Sequence, residues 1–172
     1  MSEAYDPAHI RDILARVRTI AVVGASANPV RPSSFVTAYL REKGYDVVPI
    51  NPAQSGRTID GLTFHASLAD VPRPIDMVDV FRRPDAVPGI LDEMLALDPV
   101  PGVLWLQLGV VHQQAAERAR AAGITVVQDR CPKIEFGRHS GESGRLGIVS
   151  GIVSARKRVA GRRMQSLGLP PV

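Results

Sequence analysis

The 172-residue sequence predicts a single α/β domain, a doubly wound parallel sheet of about five strands with helices on both faces. Three observations carry this expectation. Short β-branched runs that are apolar on both faces recur along the chain, a segment of helical periodicity follows three of the five, and Gly or Pro marks most of the junctions. Alternation of this kind calls for right-handed crossovers between parallel strands.

The elements follow in order. Asp6-Pro7 supplies a helix cap and a first-turn proline, and Ile10, Ile13, Leu14 and Val17 then repeat at i, i+3, i+4 and i+7, which predicts an amphipathic opening helix. Thr19 to Val23 is too short for a helix and ends at Gly24, as a buried first strand should. Arg31-Pro32-Ser33-Ser34 opens a second helix with Phe35, Val36, Tyr39 and Leu40 on one face and Gly44 at its end. A strand from Tyr45 to Ile50 follows at once. Downstream the same rhythm gives a strand over 75–81, a helix over 84–97, a strand over 102–107, a helix over 111–122 closed by Gly123, and a strand over 124–128.

Composition narrows the function. With 45% hydrophobic and 22% charged residues the chain folds as a globule instead of staying disordered. No apolar run approaches the roughly 18 residues of a membrane span, and Met1 to Pro7 has no signal-peptide pattern, so a cytoplasmic setting is expected. The single cysteine, Cys131, cannot form an internal disulfide, and histidines 9, 65, 112 and 139 lack metal-ligand spacing. Of the net charge of +4, the segment 138–172 carries seven Lys or Arg and one Glu, which leaves fourteen basic and sixteen acidic groups in residues 1–137. The body is therefore not basic. Arg156-Lys157-Arg158 with Arg162-Arg163 would suit a phosphate backbone, but no aromatics interleave to stack on bases, and the segment reads as a solvated extension.

Ligands of doubly wound sheets bind beyond the carboxyl ends of the strands. Past the first strand stand Gly24-Ala25-Ser26-Ala27-Asn28-Pro29 and then Arg31 and Ser33 at a helix start. Small residues let a backbone approach phosphate, and free N–H groups at a helix start attract anions by roughly 0.3–1 kcal/mol. Ser26 and Pro29 replace two glycines of the dinucleotide fingerprint, so a tight turn capped by Ser33 or Ser34 accounts for the segment equally well. Past the second strand, where an NAD site carries an acid for the ribose, stand Asn51-Pro52. Past the third come Phe81, Arg82 and Arg83, suited to a flat base and to phosphate, or simply a surface Arg pair. Past the fourth, Trp105-Leu106-Gln107-Leu108-Gly109 has no ionisable side chain, and Trp105 is expected to pack in the sheet. Past the fifth, Arg130 and Lys133 flank Cys131 and would lower the pKa of a reactive thiol; a structural cysteine is the other reading. Asp76 and Asp79, three apart on a strand, point to opposite faces and form no carboxylate pair. Neither a nucleophile elbow nor a P-loop occurs, and His65 and His112 receive no role.

Gly24-Ala25-Ser26, the run from Gly44 to Pro52, Asp79-Val80-Phe81-Arg82, Trp105 to Gly109 and Arg130 to Glu135 together resemble the small bacterial proteins that consist of a stand-alone CoA-binding domain. Gly141-Glu142 and Val149 to Ser154 look like that family's C-terminal segment. The family is similar in fold to the Rossmann-like N-terminal domain of the succinyl-CoA synthetase α-subunit. The resemblance implies that Gly24, Ala25, Ser26, Ala27 and Asn28 approach the CoA phosphates, that Asn51, Pro52, Phe81, Arg82 and Arg83 flank the nucleotide, and that Leu106, Gln107 and Leu108 meet the pantetheine arm. Gln54 stands near the place of a synthetase lysine, and Gln107-Leu108 replaces its Thr-Glu. The phosphohistidine of the synthetase belongs to a further domain that this sequence lacks, so ligase activity is not expected.

The expectation is thus a CoA-binding Rossmann-like domain over 1–137 with a basic extension over 138–172, holding CoA or a short acyl-CoA without turning it over. The partner is a small molecule, and a homo-oligomer is left open. Three alternatives remain: an NAD(P)(H)-binding regulator with Arg82 and Arg83 on a 2′-phosphate, thiol exchange between CoA and Cys131, and nucleic-acid association through the basic extension.

Overall fold

The structure is a computed structural model and describes residues 5–140. Helix α1 (Pro7–Arg16) starts as its cap predicts, with the Asp6 carboxylate accepting from Ala8 N–H at 2.9 Å. It leads into β1 (Thr19–Val23), α2 (Pro32–Glu42) and β2 (Asp46–Ile50). A small hairpin of β3 (Thr58–Ile59) and β4 (Leu62–Thr63) comes next, turning at Asp60 and Gly61, both at positive φ. The chain continues through β5 (Met77–Val80), α3 (Val87–Leu95), β6 (Val103–Leu106), α4 (Gln113–Ala121), β7 (Thr125–Val127) and α5 (Pro132–His139). Three positions differ from expectation. The hairpin and α5 are additional elements, and the helix expected from Pro84 begins as a 3-10 turn over Pro84–Ala86. Helix α5 runs to His139.

The five main strands are all parallel and lie in the order β2-β1-β5-β6-β7. The chain steps from β1 out to β2 and returns to the other side of β1 with β5. The strand order thus reverses between β1 and β5, and the crevice at that reversal is where doubly wound sheets take ligands.

Alternate side chains of the strands feed two cores. Ile20, Val22, Met77, Val103 and Trp105 face α1, α2 and α5, whereas Ala21, Val78, Val80, Leu104 and Leu106 face α3 and α4. Tyr45 ties the first of these layers to α1, its hydroxyl donating to Leu14 O at 2.7 Å in a buried setting. Tyr45→Phe is expected to cost about 1–2 kcal/mol, because it leaves the Leu14 carbonyl buried and unpaired. A denaturant melt would register this as a lower midpoint with an unchanged slope.

Candidate functional site

The carboxyl ends of all five strands are stitched together by hydrogen bonds, and the first loop is the centre of that stitching. Gly24 has φ +86, and a Cβ at that position would lie 2.6 Å from Phe81 O and 2.9 Å from Arg82 Cδ. The bare glycine lets the end of β5 close onto the end of β1, with the stem of Arg82 lying against it. Asn51 then clamps the loop to the end of β2. Its Nδ2 donates to Ala25 O at 2.7 Å, while its Oδ1 accepts from Ala53 N–H at 3.0 Å. An aspartate at this position could not donate to Ala25 O, which gives a structural reason for the missing ribose acid. Gln54 performs the second clamp, its Oε1 accepting from Ala27 N–H at 2.8 Å.

The amides of the loop are largely used within the protein. Gly24 and Ala25 donate to Ile50 O, Asn28 to Ser26 Oγ, Val30 to Asn28 Oδ1 and Arg31 to Asn28 O. Ser34 Oγ closes the loop from the helix side, its one O–H within reach of both Ser26 O and Asn28 O. Among the described residues the N–H groups of Ser26 and Ser33 have no partner, and these are the donors left for an anion. Ser33 is buried. Arg31 flanks α2 without capping it. Arg31 and Arg82 are exposed and make no ion pair among the described residues, whereas Arg83 pairs with Asp85 at 3.0 Å. Of the three arginines expected at the site, Arg31 and Arg82 are therefore the two whose guanidinium groups are not engaged in an ion pair among the described residues.

Two cavities flank this loop. One of about 540 Å³ runs between Ala25–Ala27, the Ser34 and Thr37 side of α2, and Ile59, Leu62 and Phe64 of the hairpin. The other, about 310 Å³, is lined by Phe81, Arg82, Arg83, Asp85 and Ala86. Both fall within or near the size range of small-molecule sites.

The remaining predicted residues separate into accessible and enclosed groups. Asn28, Pro52 and Leu108 are exposed, and Phe81 is half-buried. Ala25 is buried and contributes only backbone. Leu106 is fully enclosed among α3 and α4 residues, so its side chain cannot meet a pantetheine arm as expected. Of the two readings of Cys131, the surroundings fit the structural one. Its thiol is buried, and enclosure together with the nearby charge of Asp79 pushes its pKa up, outweighing the downward pull of Lys133. It packs with Val22, Trp105 and Val127 as a small hydrophobe. Trp105 is enclosed as expected, its Nε1–H donating to Arg130 O at 2.8 Å. His112 caps α4, its Nδ1 accepting from Ala115 N–H at 3.2 Å.

One group was not anticipated. Asp79 is wholly buried, and Gln107 Nε2 donates to both of its oxygens at 3.0 and 3.1 Å. Desolvation pushes its pKa up to about 8, against the opposing pull of the Gln107 bond. Its sequence signal was a lone acid inside the otherwise apolar strand Met77–Val80. Asp76, by contrast, sits just before β5 at the opposite end, accepting from the amides of Arg18 and Thr19 at 2.7 and 2.9 Å.

A parallel sheet with a glycine-closed reversal point, exposed guanidinium groups and flanking cavities defines a Rossmann-like domain with a candidate ligand site. No group of three or more metal-ligating side chains occurs among the described residues, and none of their helices is long and apolar enough to cross a membrane. The chain belongs to the CoA binding domain family, whose model matches residues 18–137. It is 39% identical over 130 residues to the uncharacterized protein YneT of Bacillus subtilis (strain 168), covering 74% of this chain and 91% of that one. The structure of cell-free ID.343 from Thermus thermophilus superposes with a TM-score of 0.73 at 43% identity, covering 78% of this chain and 98% of that one. The dinucleotide forming acetyl-coenzyme A synthetase 1 of Ca. Korarchaeum cryptofilum, in complex with phosphate and ADP, gives a TM-score of 0.54 at 25% identity. That match covers 63% of this chain and 25% of the synthetase, placing the likeness in one part of a larger enzyme.

Proposed function

We propose that the protein binds CoA or a short acyl-CoA across the carboxyl ends of its sheet and does not transform it. The observation that carries this reading is the closure at the strand reversal, where Gly24 admits the Phe81 peptide and sets the stem of Arg82 over the loop. A phosphate at this point meets the Arg82 and Arg31 guanidinium groups and the amides of Ser26 and Ser33. The chain toward β6 leads to Gln107 and Leu108, which suit the amides and methylenes of a pantetheine arm. Family membership supports the ligand class. Two features support binding without turnover: Cys131 is enclosed with a raised pKa, and the Asp79 carboxyl is sealed against Gln107. We assign residues 1–137 to this function in a cytoplasmic setting; the basic segment beyond residue 140, with Gly141-Glu142 and Val149 to Ser154, lies outside the described residues.

Calorimetric titration with CoA, NADH and NADPH tests the proposal. CoA is expected to bind in preference to both nicotinamide cofactors, and Arg82→Ala to weaken CoA binding roughly tenfold, the effect of one charge-assisted contact. Tight NADPH binding with no response to CoA would overturn it.

A further inference from the structure

The carboxyl of Asp79 sits in the middle of the sheet, in register with Val22 of β1 and Trp105 of β6, and no Lys or Arg among the described residues pairs with it. Burying an unpaired carboxyl is costly, and its surroundings answer that cost with one neighbour only. Both Asp79 oxygens receive Gln107 Nε2. The Gln107 backbone is fixed as well, its N–H donating to Val80 O at 3.3 Å and its carbonyl accepting from Val110 N–H at 2.8 Å. The orientation of the side-chain amide is what remains adjustable.

With Nε2 turned to Asp79, the Gln107 Oε1 has no partner among the described residues. An ionised carboxylate can only accept, so it holds the amide this way. A neutral carboxylic acid must place its own O–H, and the nearest acceptor is the amide oxygen, which would turn inward and send Nε2–H outward.

We infer that Asp79 is a positioning residue whose charge sets whether Gln107 offers an acceptor or a donor to the ligand, and that the acceptor state receives an amide N–H of a pantetheine-type arm. The inference rests on the CoA reading of the site. Binding through Oε1 favours ionised Asp79, releases its proton to solvent and strengthens as pH rises. Burial puts the transition at about 8, within reach of ordinary titration. The groups facing Asp79 from packed elements are Gln107 after β6 and the thiol of Cys131 before α5, with Lys133 acting on that thiol. The thiol's pKa is raised, so it stays neutral as Asp79 titrates, and burial lowers the pKa of Lys133.

Two measurements on the full chain test this. In ligand-free, 15N-labelled protein, the Gln107 side-chain amide signals should move in a single transition near pH 8 and stay still in Asp79→Asn. Signals that do not move in the wild type would overturn the inference whatever the ligand. In calorimetry with CoA, wild-type affinity should fall roughly tenfold per pH unit below the transition, with proton release visible as a buffer-dependent heat. Asp79→Asn should lose both, which separates Asp79 from the CoA phosphate that titrates near pH 6 in either protein. Gln107→Leu serves as the second variant should Asp79→Asn misfold, and is expected to bind CoA weakly without the proton release. Coincident wild-type and variant profiles would overturn the role of Asp79 while leaving CoA binding intact. Absence of CoA binding at every pH would overturn the site reading itself, with the amide titration still deciding the coupling.

Discussion

Between pH 5 and pH 9 the wild-type protein is expected to lose about 4 kcal/mol of folding stability to Asp79 alone, and Asp79→Asn to lose almost none of it. The sign follows from where the proton sits. Asp79 has a folded pKa of about 8 against 3.8 for the unperturbed group, so between these values the folded state holds a proton that the unfolded chain has released. Stability from this group is complete below about pH 4 and declines as pH rises, levelling off above about 8. That is opposite to the usual behaviour of an ion-paired carboxylate. Each tenfold difference in proton affinity between the folded and unfolded chain is worth about 1.36 kcal/mol, which sets the scale of the expected loss. Chemical denaturation of both proteins at pH 5, 7 and 9 measures it, and parallel curves would refute the assignment.

Gly24→Ala should be the most damaging substitution at the site. An alanine there meets two penalties at once: a positive φ that disfavours a side chain by about 1–2 kcal/mol, and a Cβ 2.6 Å from the Phe81 carbonyl oxygen. The obstacle is backbone and not the end of a flexible side chain, so the β1 and β5 ends must separate. The expected result is a loss of about 2–4 kcal/mol in stability and at least a tenfold loss of CoA affinity. Gly44→Ala provides the contrast. Gly44 also has positive φ, +91, but nothing lies within 4 Å of its Cβ position, so that variant should show only the backbone penalty and normal CoA affinity. Equal affinities in the two variants would mean that the closure at Gly24 does not shape the site.

The layered sheet is legible in the sequence because its signal is local: β-branched strands and punctuated helices announce themselves within a few residues. The hairpin escapes such a reading although Asp60-Gly61 between Ile59 and Leu62 is a strong turn signal, since strands of two residues are too short to show alternation. Helix α5 is hidden because its first turn overlaps the Arg130–Lys133 segment, whose residue types suggest chemistry, and its hydrophobic face is partial. At the site, the first loop and Arg82 can be read from residue type and position. What the residues do not disclose is who bonds to whom. The clamping roles of Asn51 and Gln54 are not legible in sequence, because their partners Ala25 and Ala27 lie more than twenty residues away. Asp79 has an acid three residues away in Asp76, but the two do not share a face, and the partner of Asp79, Gln107, comes from beyond the end of the adjacent strand.

The two clamps on the first loop bear on how a guest is received. Asn51 and Gln54 hold Ala25 and Ala27 in place through contacts made when the chain folds, so the loop's conformational entropy is already gone before any ligand arrives. On the proposed CoA reading, recognition at this loop is then preorganised: encounter would need no slow rearrangement of backbone, and discrimination between anions would fall to shape and to the reach of Arg31 and Arg82.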